Sequence, residues 1–223
     1  MRAVPLAFAA LVGIAHPSSA QDALRGKLLY HDVGRQSGAG VSCIDCHGGV
    51  PGALHGLGKV ANNPAAIDYA IGAVLQMTPL RGRLSARDFA DIAAYVSSPA
   101  VASPEPRVSA SGPAASPYAS DRLEFFDVEA GSTTPPTTLS LANQGKVALQ
   151  IGSNALITGP DAAQFAIAVD DCRAGQALEA GQACTVTIVF RPEGLRGLRT
   201  ATLRLAHDWI HGGFNVPLIG RVR

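Results

Sequence analysis

What most constrains the fold of this chain is a change of apolar period across "SSPAVASPEPRVSASGPAASPYAS", residues 97–120. Before this stretch apolar residues recur at helical spacing; after it they alternate with polar ones. One layer of structure cannot serve both periods, so two kinds of layer are required. The stretch itself is rich in Pro, Ser and Ala and shows no apolar periodicity. It buries too little surface to offset its ordering entropy and predicts an extended, semi-rigid tether. The expected organisation is multi-domain: an all-α domain over residues 21–98, a linker over 99–120 and an all-β domain over 121–223.

Asp22 to Tyr30 predicts a short first helix, and Asn63 stands as N-cap before Pro64 at the start of a second. Ser85 and Asp88 have capping-box spacing ahead of "FADIAAYV", where Phe89, Ile92, Ala93 and Val96 share one face. Beyond the tether, "TLSLAN", "KVALQI", "QFAIAV", "CTVTIVF" and "ATLRLA" alternate, punctuated by turn residues such as Asn143, Gly145, Gly159 and Gly181. With the runs near Phe125 and Val216, about seven strands emerge, which suits an antiparallel two-sheet sandwich.

Residues 1–20 read as a secretory signal peptide: Arg2, an apolar run from Ala3 to Ala15, then small Ser18 and Ala20 before the cleavage point. The expected location is the periplasm, as an exported soluble chain. No later segment is long and apolar enough to span a membrane. With Arg2 removed, the 18 basic residues fall to 17 against 17 acidic ones. A neutral chain offers no basic stripe for nucleic acid.

The four cysteines fall into an early close pair, Cys43 and Cys46, and a later one, Cys172 and Cys184. The early pair lies in "CIDCH" with His47, and C-x-x-C-H is the attachment signal of c-type haem. Two thiols one turn apart match the two vinyl groups of the porphyrin, and the adjacent histidine reaches the iron. Three rival readings stand beside this one: a redox-active disulfide, which wants a βαβ surround; a zinc site recruiting His55; and chance. Met77 in "QMTPLRG" is the single methionine after the signal segment and follows His47 by 30 residues. A lone methionine ordinarily fills a core gap, but His and Met together hold haem iron in electron carriers.

Taken together, Gly26, Tyr30, "CIDCH", "PGALHG", "MTPL" and "LSARDFADIAAYV" resemble a class I c-type cytochrome over roughly Asp22 to Ser98. The resemblance implies an all-α cytochrome c domain holding one haem c, covalent through Cys43 and Cys46, with His47 and Met77 as metal ligands. It also implies that the Pro51 carbonyl orients the His47 ring, that Leu54 packs on the haem edge, and that Tyr69, Leu80 and Phe89 complete the pocket wall. His55 is implied to be non-ligating.

A second resemblance covers roughly Asp121 to Gly220, carried by Gly131, "LANQGKVALQI", "GPDAAQFAI", "LEAGQACTVTIVFRP" and "VPLIG". It is to the immunoglobulin-like modules called choice-of-anchor D, related to ASH domains, and it implies an all-β sandwich with Cys172 and Cys184 disulfide-bonded. In "HDWIHGGF", His207 and His211 flank the only tryptophan; a decorated hairpin tip is expected there rather than a metal site.

The function these readings imply is an electron carrier between periplasmic redox proteins, not an enzyme, with the immunoglobulin-like domain docking or spacing it. The alternatives are the electron-accepting haem subunit of a periplasmic oxidoreductase, or a binding module with accessory haem.

Overall fold

The structure, a computed structural model, describes residues 22–48, 51, 54–115 and 122–223, with the side chains of 54–56 outside the description. The expected signal segment, residues 1–20, lies outside the described residues. Among the described residues no helix is long and apolar enough to cross a membrane.

The N-terminal part is built from α1 (Ala23–Ser37), α2 (Ile44–His47), α3 (Pro64–Ala73) and α4 (Ala86–Ser97), with 3-10 turns at Leu54–Lys59 and Leu75–Leu80. Local chemistry sets their ends. The Asp22 side chain accepts from the Arg25 N–H to cap α1, and Gly38 closes that helix at φ 68°, where a side chain would be strained. Asn63 caps α3 ahead of Pro64, and Ser85 with Asp88 forms a full capping box on α4. The helices α1 and α4 cross at Gly26, where an added Cβ would lie 1.9 Å from the Asp91 carbonyl oxygen. Arg25 pins the crossing by pairing with both Asp88 and Asp91.

Burial alone would raise the Asp88 carboxyl, but hydrogen bonds from the Ser85 N–H, the Ser85 hydroxyl and Arg25 outweigh it and hold the group below its ordinary value. The stabilisation is therefore complete above the unfolded value, about 3.9, and is lost as pH falls through the folded one. Thermal melts against pH are expected to show α4 weakening below about pH 4, and Asp88→Asn is expected to flatten that dependence. An unchanged acid limb in the variant would assign it to other carboxylates.

The C-terminal part holds β1 (Pro106–Ser111), β2 (Leu123–Val128), β3 (Thr137–Asn143), β4 (Leu149–Gln150), β5 (Leu156–Thr158), β6 (Phe165–Asp170), β7 (Ala177–Leu178), β8 (Ala183–Phe190), β9 (Gly197–Ala206) and β10 (Gly213–Val222). Two four-stranded sheets, in the orders β1-β3-β8-β6 and β2-β10-β9-β5, pack face to face, with β4-β7 as a two-stranded ribbon. The inward residues Leu139, Leu141, Val186 and Ile188 meet Leu203, Leu205, Val216 and Leu218 in one core. The alternating burial of β3 and β9 is what their sequence period requires. Cys172 and Cys184 form a disulfide with Cα atoms 5.1 Å apart. Not every pairing is antiparallel: β10 runs parallel to β2.

The expected fold class, an all-α cytochrome domain followed by an all-β sandwich, is corrected here. Sheets dominate, the longest helix among the described residues has 15 residues, and the helices do not stand apart from the sheets. The outer face of α1 lays Leu24 and Leu28 against the sandwich core. Lys27 Nζ donates to Ser103 Oγ at 2.8 Å, and Asp32, gripped by Arg35, lies 3.8 Å from His211 Nδ1 in the turn before β10. Positions 24, 28, 32 and 35 form one stripe of the helix, while Leu29, Tyr30 and Val33 face the other helices.

The expected tether also carries structure. Residues 106–111 are β1, paired with β3 from Pro106↔Asn143 to Ser111↔Thr138, with Val108 and Ala110 packed on the core. The free edge of β3 supplies hydrogen bonds that the segment's own composition could not replace. Asn143 fixes the entry: its Oδ1 accepts from the Glu105 N–H at 3.1 Å and its Nδ2 donates to the carbonyls of Val147 and Leu178.

Candidate functional site

The segment holding Cys43, Cys46 and His47 is one turn of helix, closed by the His47 N–H to Cys43 carbonyl bond at 2.9 Å and the Gly48 N–H to Ile44 carbonyl bond at 3.1 Å. A single turn has little stability of its own. It is tied to α1 at its start, where Ser42 Oγ accepts from the Gly34 N–H at 2.8 Å and Asp45 accepts from the Ser42 N–H at 2.7 Å. Close approach there depends on Gly34, whose added Cβ would lie 2.6 Å from the Val41 carbonyl carbon.

Between this turn, α1, α3, α4 and the Leu75–Leu80 turn lies a cavity of about 510 Å³. Cys43, Cys46 and His47 line it from α2, Met77 from the 3-10 turn, and Tyr30, Leu57, Ile67, Ile92 and Val96 from the helical core. Lys59 and Gln76 are polar residues on its wall. The α4 contribution follows from helical spacing, since Ile92 and Val96 are one turn apart on its inner face. This is the size and character of a small-molecule or cofactor site.

Burial pushes the Cys43 thiol up to about 12, with Asp45 and Cys46 adding to the effect. A redox-active cysteine pair needs a lowered thiol, so this environment opposes the disulfide-exchange reading. Burial likewise raises the Tyr30 phenol, helped by its neighbours Cys43 and Tyr95.

The sequence-predicted residues divide. Cys43, Cys46, His47 and Met77 reach the same cavity, as does Tyr69, which is 77% exposed at its mouth. Pro51 is buried. Leu54 lies in the 3-10 turn, but its side chain, like that of His55, lies outside the described residues. Leu80 and Phe89 belong instead to the packing among the helices. Ile92 and Val96 were legible only as one face of a helix, and Leu57 and Ile67 were missed, because an apolar wall and an apolar core have the same pattern in sequence. His207 is buried, with its pKa lowered by that burial, and its Nδ1 accepts from the Trp209 N–H at 3.3 Å. Among the described residues no group of three or more His, Cys, Asp or Glu is placed to hold a metal ion.

No family model matches the chain, and no curated protein matches it. Solved structures do. A protein of unknown function from Porphyromonas gingivalis W83 is similar at 15% identity and TM-score 0.40, over 56% of this chain and 51% of that one. The VesB protease of Vibrio cholerae matches at 15% identity and TM-score 0.35, over 46% of this chain and 30% of that one. A family 123 glycoside hydrolase from Clostridium perfringens matches at 7% identity and TM-score 0.35, over 46% of this chain and 22% of that one. The chain thus spans about half or less of the length of these structures.

Two expectations are corrected on these findings. Membership in the class I c-type cytochromes, joined to a choice-of-anchor D module, is not carried forward. No family model and no curated protein matches, and among the described residues no group of three or more His, Cys, Asp or Glu is placed to hold a metal ion. The expectation that the chain is not an enzyme is not carried forward either; a protease and a glycoside hydrolase stand among the similar structures. Their activities are theirs, and the likeness is too low to assign either one to this chain.

Proposed function

We propose that the chain carries one haem c, tethered through Cys43 and Cys46 with its iron held by His47 and Met77. On this reading it passes single electrons between exported redox proteins, and the β-sandwich docks or spaces the redox part. One observation supports it above the rest: two thiols, an imidazole and a thioether, the last 30 residues further along the chain, line one apolar cavity of about 510 Å³. The residues fit such a group in number, chemistry and room.

Haem bound there would supply a reversible one-electron couple. The chain's own residues do the rest. Cys43 and Cys46 give a covalent hold that needs no binding equilibrium. The thioether of Met77 would favour the reduced state of a metal bound there, and the short helix that carries His47 would orient its imidazole toward it. Leu57, Ile67, Ile92 and Val96 keep water from the interior, which strengthens every electrostatic interaction within it. Such a centre serves a free carrier and the electron-accepting subunit of an oxidoreductase alike.

The test is expression with haem-attachment machinery, followed by a haem stain on a denaturing gel and a reduced-minus-oxidised spectrum. The wild-type chain is expected to stain and the Cys43→Ala/Cys46→Ala variant to lose the stain completely. Met77→Ala is expected to keep it while losing the red-region charge-transfer band and dropping in reduction potential. A wild-type chain that emerges without covalent haem overturns the reading.

A further inference from the structure

The attachment turn α2 is held to α1 at its start by the Gly34–Ser42 hydrogen bond, and a second tie meets its other end. Tyr30, fully buried on the inner face of α1, donates its phenolic O–H to the carbonyl of Gly48 at 2.9 Å. Gly48 is the residue after His47 and adopts φ 78°, the turn by which the chain leaves the helix. The Tyr30 ring is itself fixed, edge-on to Tyr95 of α4 at 5.4 Å and to His31 at 5.5 Å. Its burial keeps the phenol protonated, and so a donor, across the physiological range.

We propose that Tyr30 is a positioning residue, whose hydrogen bond to the Gly48 carbonyl fixes the end of α2 and thereby the attitude of His47 toward the cavity. The tie and its effect on the backbone stand on the chain alone; only its consequence for a bound metal rests on the haem reading. A one-turn helix held at one end frays from the other, so losing this bond loosens the amides at His47 and Gly48 first. The ring packing of Tyr30 is shared with the whole α1–α4 contact, whereas its hydroxyl reaches the end of the turn alone.

The test is amide hydrogen exchange on the full-length chain, comparing wild type with Tyr30→Phe, which keeps the ring and removes the hydroxyl. Exchange at His47 and Gly48 is expected to quicken by about fivefold, the worth of one net hydrogen bond, while the α3 amides stay unchanged. In haem-loaded protein the same variant is expected to shift the reduction potential and the low-spin signal of the iron. Tyr30→Leu serves as the packing control, expected to quicken exchange throughout α1 and α4. Exchange in Tyr30→Phe that matches wild type, or that quickens equally in every helix, overturns the proposal. The exchange measurement needs no haem, so a wild-type chain that fails to stain sinks the haem reading without touching this one.

Discussion

Gly26→Val is expected to abolish the cavity by forcing α1 off α4. An ideal Cβ at Gly26 would stand 1.9 Å from the Asp91 carbonyl oxygen, 2.5 Å from its carbon and 3.0 Å from Tyr95 Cβ. The first two are backbone atoms, which cannot rotate out of the way, so the helices must separate. Separation breaks the contact of Leu29, Tyr30 and Val33 with Ile92, Tyr95 and Val96, and it pulls Arg25 from two buried carboxylates. Overpacking inside a yielding core costs about 1–3 kcal/mol; a backbone collision at a helix crossing belongs to the tail above about 4 kcal/mol. Chemical denaturation followed by far-ultraviolet circular dichroism measures this directly. The variant is expected to show the helical transition shifted to very low denaturant, with no covalent haem held in a native-like spectrum. A midpoint equal to that of wild type would mean the helices do not cross at this residue.

The parts of this fold that were legible in sequence are those set by chemistry within one turn of chain. The caps at Asn63 and at Ser85 with Asp88 were readable because a capping side chain and its amide are three residues apart. The strands β3, β6, β8 and β9 were readable because each runs long enough for alternation to show. Strands β5 and β7, three and two residues long, are shorter than any period. The parallel pairing of β10 with β2 depends on a partner some ninety residues away and leaves no local mark. In β1 the contrast that makes alternation visible is weak, since Val108 and Ala110 stand among serines. The contact between α1 and the sandwich had a readable signal. Apolar residues cover α1 on two sides, Leu24 and Leu28 as well as Leu29 and Val33, and a helix with two apolar faces has two partners. At the site, "CIDCH" and Met77 were legible as chemistry, whereas Tyr30 was legible as part of the resemblance but not as a hydrogen-bond donor. The atom that receives its hydrogen bond is a backbone carbonyl, and every residue has one.

Gly220→Val tests how far the two layers depend on each other. Gly220 lies on β10, which pairs with both β2 and β9. An added Cβ would stand 2.3 Å from Phe190 Cζ, with the two Cε atoms at 2.6 and 2.7 Å. A side chain can ordinarily give way, but Phe190 is fully buried, stacked on Phe165 at 4.7 Å and tilted against Phe125 at 5.7 Å. The ring has nowhere to go, so β10 must leave its sheet or the aromatic cluster must break, at a cost of about 3 kcal/mol or more. The helical layer rests on this same core through Leu24 and Leu28, and its α1 side chain Asp32 faces His211 just before β10. Loss of the sandwich therefore exposes the outer face of α1. Trp209, the single tryptophan and part of the sandwich core, reports on the sheets by fluorescence, while far-ultraviolet circular dichroism weights the helices. The two transitions are expected to coincide in the wild type and to move down together in Gly220→Val, as in one cooperative unit. If the tryptophan transition falls while the helical one holds its midpoint, the layers unfold separately, and the contacts made by Leu24 and Leu28 contribute little to holding the cavity together.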